Sequence, residues 1–329
     1  MSMTQIERPA RRAALRTGAA LAAGLAAGAA RAQGADFPKG PVRLIVALPP
    51  GGAADVSARA LQGPLEQAWK QSVIVENRPG GQFQIAMQAL AAAPADGHTL
   101  LHVFNSFASV HAVQKLFDLE TQVIPVTRTS ITPIVLLVRG NSPHRTLADL
   151  VAFGRANPGK LTYSTLGPGS VEHLKMAQIE KAGGFQGVAV PYRGGPDSLK
   201  ALIGGEIDFQ ITAGIFAKQF APSGQVRVLA TLEPTRWTDF PDVPTMAEAG
   251  VAVPPMTYWG GYVVRAGTPS ALVDRLRADL AAAAVAQPVV ERLAAAGGLP
   301  SVSPSREDFR KLIASEIAWM GAAAKELGL

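Results

Sequence analysis

The chain has 329 residues, 48% of them hydrophobic and 17% charged, with 33 glycines, 25 prolines and no cysteine. This is length enough for two ordinary domains, and a composition that excludes disorder and a coiled coil. Without cysteine there is no disulfide, thiol nucleophile or thiolate metal site, and the formal net charge of +6 gathers near the N-terminus.

Arg8, Arg11, Arg12 and Arg16 precede an uncharged small-residue run over 17–30, and Ala30-Arg31-Ala32 fits a cleavage site. These are the parts of an export signal over 1–32, with the mature chain starting near Gln33. RRAALR (11–16) loosely fits a twin-arginine motif, with Ala14 where a bulkier apolar residue is usual, so either export route is open. An uncleaved anchor fits less well, since the run is shorter than the roughly 20 residues of a membrane span. Removing five Arg and one Glu leaves 26 basic and 24 acidic residues. No basic run is interleaved with aromatics, so nucleic acid is not the expected partner.

VRLIVAL (42–48) reads as a buried strand, followed by a Pro49-Pro50-Gly51-Gly52 turn and a helix with Val56, Ala60 and Leu61 on one side. Pro64 is expected to kink or split that helix. SVIVENRPGG (72–81) is a second strand and glycine turn, leading to a helix with Ile85 and Leu90. TLLHVF (99–104) is a third strand, ending at Asn105 and Ser106. Strands alternating with helices predict a parallel sheet covered on both faces. PIVLLVRG (133–140) is the next strand, and the design then restarts. A helix falls at 146–156, a strand, Gly-Pro-Gly turn and helix at 161–183, and a strand, Gly-Gly turn, helix and strand at 187–212. Short strands follow at 226–232 and near 258. Thr268 and Pro269 fit the start of a helix with Leu272, Leu276 and Leu280 on one face, and Ser305 with Asp308 fits a capping box before Phe309, Ile313 and Ile317.

The pattern predicts two α/β lobes, 33–134 with 259–329 and 135–258, joined by two chain crossings near 131–139 and 257–263. Ligands in such sheets bind beyond the carboxyl ends of the strands, where the glycine turns lie. A helix start offers free N–H groups and roughly half a positive charge. Two such starts on facing lobes, at 49–55 and 166–170, make a clamp for a carboxylate without a buried arginine.

RLIVALPPGGAADVSAR is similar to the opening strand, loop and helix of the Bug-type receptors, the periplasmic solute-binding proteins of tripartite tricarboxylate transport systems. VIVENRPG, APADGHTLL, NPGKLTYST, His173-Leu174, VPYRGGPDSLKALIGGEID, FPDVPTMAEAG and RAGTP match in the same order. The resemblance implies two Rossmann-like lobes with a ligand cleft between them, as in type II periplasmic binding proteins. It implies no catalysis and no cofactor, and a small organic acid handed to membrane transporter subunits. Matching site positions are Leu48, Gly52, Ala53, Ala54 and Asp55 in the first loop, Asn105 and Ser106 after the third strand, and Thr165, Gly169 and Ser170 in the anion loop of the second lobe. Thr212 and Ala213 follow. Many members have Gly-Gly-Asn where this chain has Gln82, Phe83 and Gln84, and Asp where Thr212 stands. The added bulk places Phe83 and Gln84 among the expected contacts, with Phe83 able to stack on an aromatic acid and the ligand shifted away from an amino-bearing one.

Other residues have simpler readings. Asp55 and Arg59 pair at i,i+4, or Asp55 caps the helix and orients the loop. Arg78, Arg128, Arg193 and Arg236 follow strands or lie in loops and read as surface residues, with a reach into the cleft as the alternative for any one of them. His98 and His102 share a strand face without a carboxylate partner at fixed spacing, so no metal site is expected. His173 reads as a helix-surface or packing residue. Tyr258 and Trp259, at the second crossing, either pack the hinge or line the cleft. No G-x-S-x-G, Walker A, G-x-G-x-x-G after a strand, or H-E-x-x-H is present. A solute receptor is the first reading, a monomer for want of an extra apolar stripe. A sensor subunit of a two-component system and, more remotely, a periplasmic hydrolase or isomerase are the alternatives.

Overall fold

The computed structural model describes residues 37–329, and the export segment read over 1–32 lies outside them. Strand β1 (Val42–Val46) runs into helix α1 (Ala53–Trp69). β2 (Val73–Asn77) leads through a short 3₁₀ turn (Gly81–Phe83) to α2 (Gln84–Ala92). β3 (Thr99–Phe104), buried at all six positions, passes directly into α3 (Asn105–Gln114). α1 is continuous through Pro64, so the expected split does not occur. Gly63 has no Cβ to meet the proline ring, and Leu61, Leu65 and Trp69 anchor both sides of it in the core.

β4 (Val123–Arg139) is far longer than its apolar end suggested. Its first part, with Pro125 and a polar Thr127–Ser130 stretch, carries two register shifts against its neighbour. Such bulges accommodate a proline and bend the strand. α4 (Leu147–Ala156), β5 (Leu161–Thr165), α5 (Val171–Gly183), β6 (Gly187–Pro191), α6 (Gly195–Gly204), β7 (Phe209–Ala213), α7 (Ile215–Phe220) and β8 (Val226–Thr231) follow. The chain returns through β9 (Thr257–Arg265), α8 (Ser270–Ala284), α9 (Gln287–Ala295), the two-residue β10 (Leu299–Pro300) and α10 (Arg306–Leu327). Pro269, not Thr268, stands at the cap of α8. Ser305 caps α10, its hydroxyl accepting from the Asp308 N–H at 3.1 Å.

β1, β2 and β3 pair in parallel, as do β5, β6 and β7, while β4 and β9 run antiparallel to their partners. The first sheet is ordered β2-β1-β3-β9-β4, and the second β4-β7-β5-β6 with β8 also on β4. β4 belongs to both: Val123–Pro133 pairs with β9, and Ile134–Arg139 with β7 and β8. α10 spans the same junction, with Phe309 and Ile313 in a core of the first sheet and Met320 and Ala324 in a core of the second. Leu48, Phe104, Leu166 and Ala213, at or just past the carboxyl ends of β1, β3, β5 and β7, line one shared cavity. Among the described residues no helix is long and apolar enough to cross a membrane.

Candidate functional site

Between the two sheets lies a cavity of about 90 Å³. Leu48, Gly52, Ala53 and Ala54 form one wall, with Ser57 a turn further along α1. No side chain caps α1, because Gly52 holds the cap position. Its first N–H groups are therefore left for whatever enters. Gly195 and Pro196 open α6 on the other side, again behind a glycine cap, Gly194. These turns touch: a methyl placed on Gly194 would lie 2.6 Å from Pro49 Cδ, and one on Gly52 3.5 Å from Pro196 Cδ. Gln82 adds a further tie between the halves, its amide donating to the Pro168 carbonyl at 2.7 Å.

The floor comes from β3, β4 and β9, through His102 and Phe104, Ser130 and Thr132, and Tyr258, Trp259 and Gly260. Leu166, Glu172, Ala213 and Phe216 complete it from the second sheet's side. No Lys or Arg lines the cavity. Glu172 accepts from Tyr258 Oη at 2.7 Å and Ser106 Oγ at 3.3 Å. Burial raises its carboxyl above the ordinary range despite these bonds, favouring the neutral acid. Burial likewise pushes His102 down to about 4, so its imidazole is neutral. Ser57 Oγ and Ser130 Oγ bond each other at 3.1 Å.

Of the residues read from sequence, Leu48, Gly52, Ala53, Ala54 and Ala213 line this cavity. Asp55 stands just behind. It accepts from the Gly51 N–H, from Arg59 Nε and from Asn77 Nδ2, each at 3.0 Å. Burial alone would raise its pKa, but these bonds outweigh that and lower it. Asp55 therefore pairs with Arg59 and braces the loop through Gly51, but it does not cap the helix, whose cap position is Gly52. Asn105 supports the floor, its Oδ1 accepting from the Trp259 N–H at 2.8 Å and its Nδ2 donating to Glu316 at 3.1 Å. Ser106 holds Glu172 rather than open space.

Thr165, Gly169, Ser170 and Thr212 lie outside the lining. The reason is local. Ser170 caps its own helix, accepting from the His173 N–H at 3.4 Å, and His173 Nδ1 accepts from the Gly169 N–H at 3.1 Å. Thr165 Oγ1 takes the Gly167 N–H at 3.1 Å. The donors of the 166–170 loop are thus spent inside the loop, whereas α6 begins without a side chain to satisfy it. His173 is a brace for this loop. Gln84 is the first residue of α2 and also lies outside the lining. Phe83, expected to stack on an aromatic acid, instead stacks on Phe107 at 4.6 Å and meets Phe104 edge-on at 5.2 Å. It is 3% exposed, so its ring fills core rather than cleft.

Tyr258 and Trp259 line the cleft, the sharper of their two readings. Arg78 and Arg236 pair with Glu76 and Glu248, and Arg128 Nε donates to the Ser301 carbonyl at 3.2 Å. Sequence reasoning missed Ser130, Glu172, Gly195 and Gly260, and weighed His102 only as a metal ligand. Gly194-Gly195-Pro196 carried a usable signal, a glycine turn after a strand and before a helix. The others had none, because strand pairing brings His102, Ser130 and Gly260 together and Glu172 reaches them from helix α5 only through the packing of the two halves.

The sequence pattern of the "Tripartite tricarboxylate transporter family receptor" matches residues 57–329. "Protein BugT" of Bordetella pertussis is 31% identical over 296 residues, 89% of this chain and 90% of that one. Two solved structures are similar. "R. palustris Rpa4515 with adipate" has 29% identity and a TM-score of 0.83, covering 89% of this chain and 98% of its own. "MatC (Rpa3494) from Rhodopseudomonas palustris with bound malate" has 26% identity and a TM-score of 0.81, covering 87% and 99%. With that match and this two-sheet architecture, the chain belongs to the tripartite tricarboxylate transporter receptor family, a family of solute-binding proteins and not of enzymes.

Proposed function

We propose that this chain is a periplasmic receptor that closes two lobes on a small organic carboxylate and presents the closed form to a membrane transporter. One observation carries the reading: two helix starts from different halves, both capped by glycine, meet at one cavity lined by no basic side chain. Such donors and dipoles suit a carboxylate and leave no unpaired cation when the site is empty. The relatives with malate and adipate support the same chemistry. The contacts fall to Gly52, Ala53 and Ala54 on one side and Gly195 on the other, with Leu48 and Ala213 as apolar walls. An aromatic acid is not part of the proposal, since about 90 Å³ is less than the roughly 150 Å³ that accepts a benzene ring.

The lobes are 33–134 with 259–329 and 135–258, hinged at β4 and the entry to β9. Residues 1–32 serve as a cleaved export signal, and the receptor acts as a monomer. Calorimetry and thermal shift with short carboxylic acids and their uncharged amides test the reading. Acids raise the melting temperature and bind, and amides do neither. Stabilisation by amides without acids refutes the carboxylate clamp.

A further inference from the structure

We infer that the ligand is a short monocarboxylate bearing an uncharged hydroxyl or oxo group, and that His102 is the residue that reads this group. The inference rests on the carboxylate reading above and narrows it.

His102 is 2% exposed, its ring lines the cavity, and neither ring nitrogen bonds a described residue. A buried polar atom without a partner is costly and uncommon. Tyr262 meets the imidazole edge-on at 5.3 Å between ring centroids and does not satisfy it. Gly260 lies directly over Nε2 and places no side chain there. A methyl on Gly260 would lie 2.6 Å from His102 Nε2 and 3.0 Å from Ser130 Oγ. Any larger residue there would fill the place where these two polar atoms converge. Ser57 joins them through its bond to Ser130. The cavity therefore has a polar pole distinct from the helix starts, and a ligand group docked there gives His102 the partner it lacks.

The charge of that group follows from its surroundings. A neutral imidazole presents one donor and one acceptor, a match for a hydroxyl or a carbonyl. No Lys or Arg lines the cavity, and the other ionisable side chains on it are Glu172 and Tyr258. A second carboxylate at this pole would be buried without a counter-charge. Length is limited too. Ser57 lies about 6 Å from Ala53 along the helix axis, and the whole cavity holds about 90 Å³. This chain thus differs in preference from its relatives with malate and adipate, both dicarboxylates.

The test is calorimetry on the purified protein and its His102→Leu variant with butyrate, 2-hydroxybutyrate, 3-hydroxybutyrate, 2-oxobutyrate, succinate and adipate. The wild type binds one of the hydroxy or oxo acids at least about tenfold more tightly than butyrate, and succinate more weakly than that acid. In His102→Leu the ratio to butyrate collapses towards one. Equal affinity for butyrate, tightest binding of either dicarboxylate, or a preference that survives the substitution overturns the inference while the carboxylate clamp stands. Failure of every acid to bind overturns the clamp itself. Should His102→Leu not fold, the imidazole ¹⁵N signals of the wild type decide. A shift with the preferred acid and none with butyrate supports the inference, and the same response to both refutes it.

Discussion

His102 shows how one buried residue links stability to pH. Burial lowers its pKa from 6.5 to about 4. A depressed folded-state pKa contributes stability that is present above 6.5 and lost as pH falls through the folded value. By pH 4 the loss from this residue is about 3 kcal/mol. Glu172, Glu233 and Glu316 are raised by burial and act with the opposite sign, losing stability as pH rises. The clean quantity is therefore a difference between proteins. In urea unfolding at pH 7 and pH 4, the wild type should lose about 3 kcal/mol more than His102→Leu; equal losses would remove the assignment. Gln82 and Phe83 make the complementary point about packing. Both have left-handed backbone, φ 47° and φ 74°, a region that favours glycine. The cost of about 1–3 kcal/mol for each such residue is opposed in part by the Phe83 stack on Phe107 and the Gln82 bond to Pro168.

Among the elements, the question is which helix starts act. The resemblance favours α5 through Ser170, and the geometry favours α6 through Gly195. Removing the Ser170 cap should cost about 1 kcal/mol of stability and leave affinity for an acid within about twofold. Gly195→Ala should weaken binding by at least about tenfold, because its Cβ would sit 2.4 Å from a ring atom of Phe216, which lines the cavity. Thermal unfolding and calorimetry on the two variants separate the cases. A large affinity loss in Ser170→Ala, with Gly195→Ala unaffected, would return the anchor to α5. The α1 turn was legible from Pro49 to Ala54, since strand, glycine turn and helix follow each other in the chain. The His102, Ser130 and Gly260 cluster was not. It exists because β9 lies between β3 and β4, placing Gly260 opposite Phe104 on one side and Ser130 on the other. No spacing in the sequence encodes that adjacency.

For the whole molecule, the two halves are in contact, with Pro49 against Gly194, Pro196 against Gly52 and Gln82 tied to Pro168. The chain passes from one sheet to the other at β4, the entry to β9 and α10, which is where the proposed closure would hinge. Small-angle scattering should show a smaller radius of gyration with a saturating acid than without one. An unchanged radius, with binding confirmed in the same sample, would exclude closure as the signal. α3 and the polar half of β4 escaped the sequence reading for related reasons. Residues Asn105–Val110 are all buried, so α3 has no polar face to betray its period. β4 is interrupted by prolines and polar residues that its bulges and neighbours accommodate.

By itself the sequence determined the class of fold, the repeated strand–turn–helix design and one wall of the cavity, while the family came from the resemblance of its motifs. Those are local properties, written by hydrophobic period and turn chemistry over a few consecutive residues. The tertiary structure decided which second helix start faces the first, that Phe83 belongs to the core, and that an unpartnered imidazole stands at the far pole. These depend on which donors are already satisfied by near neighbours and on strand order, and both are settled only when the chain has closed on itself.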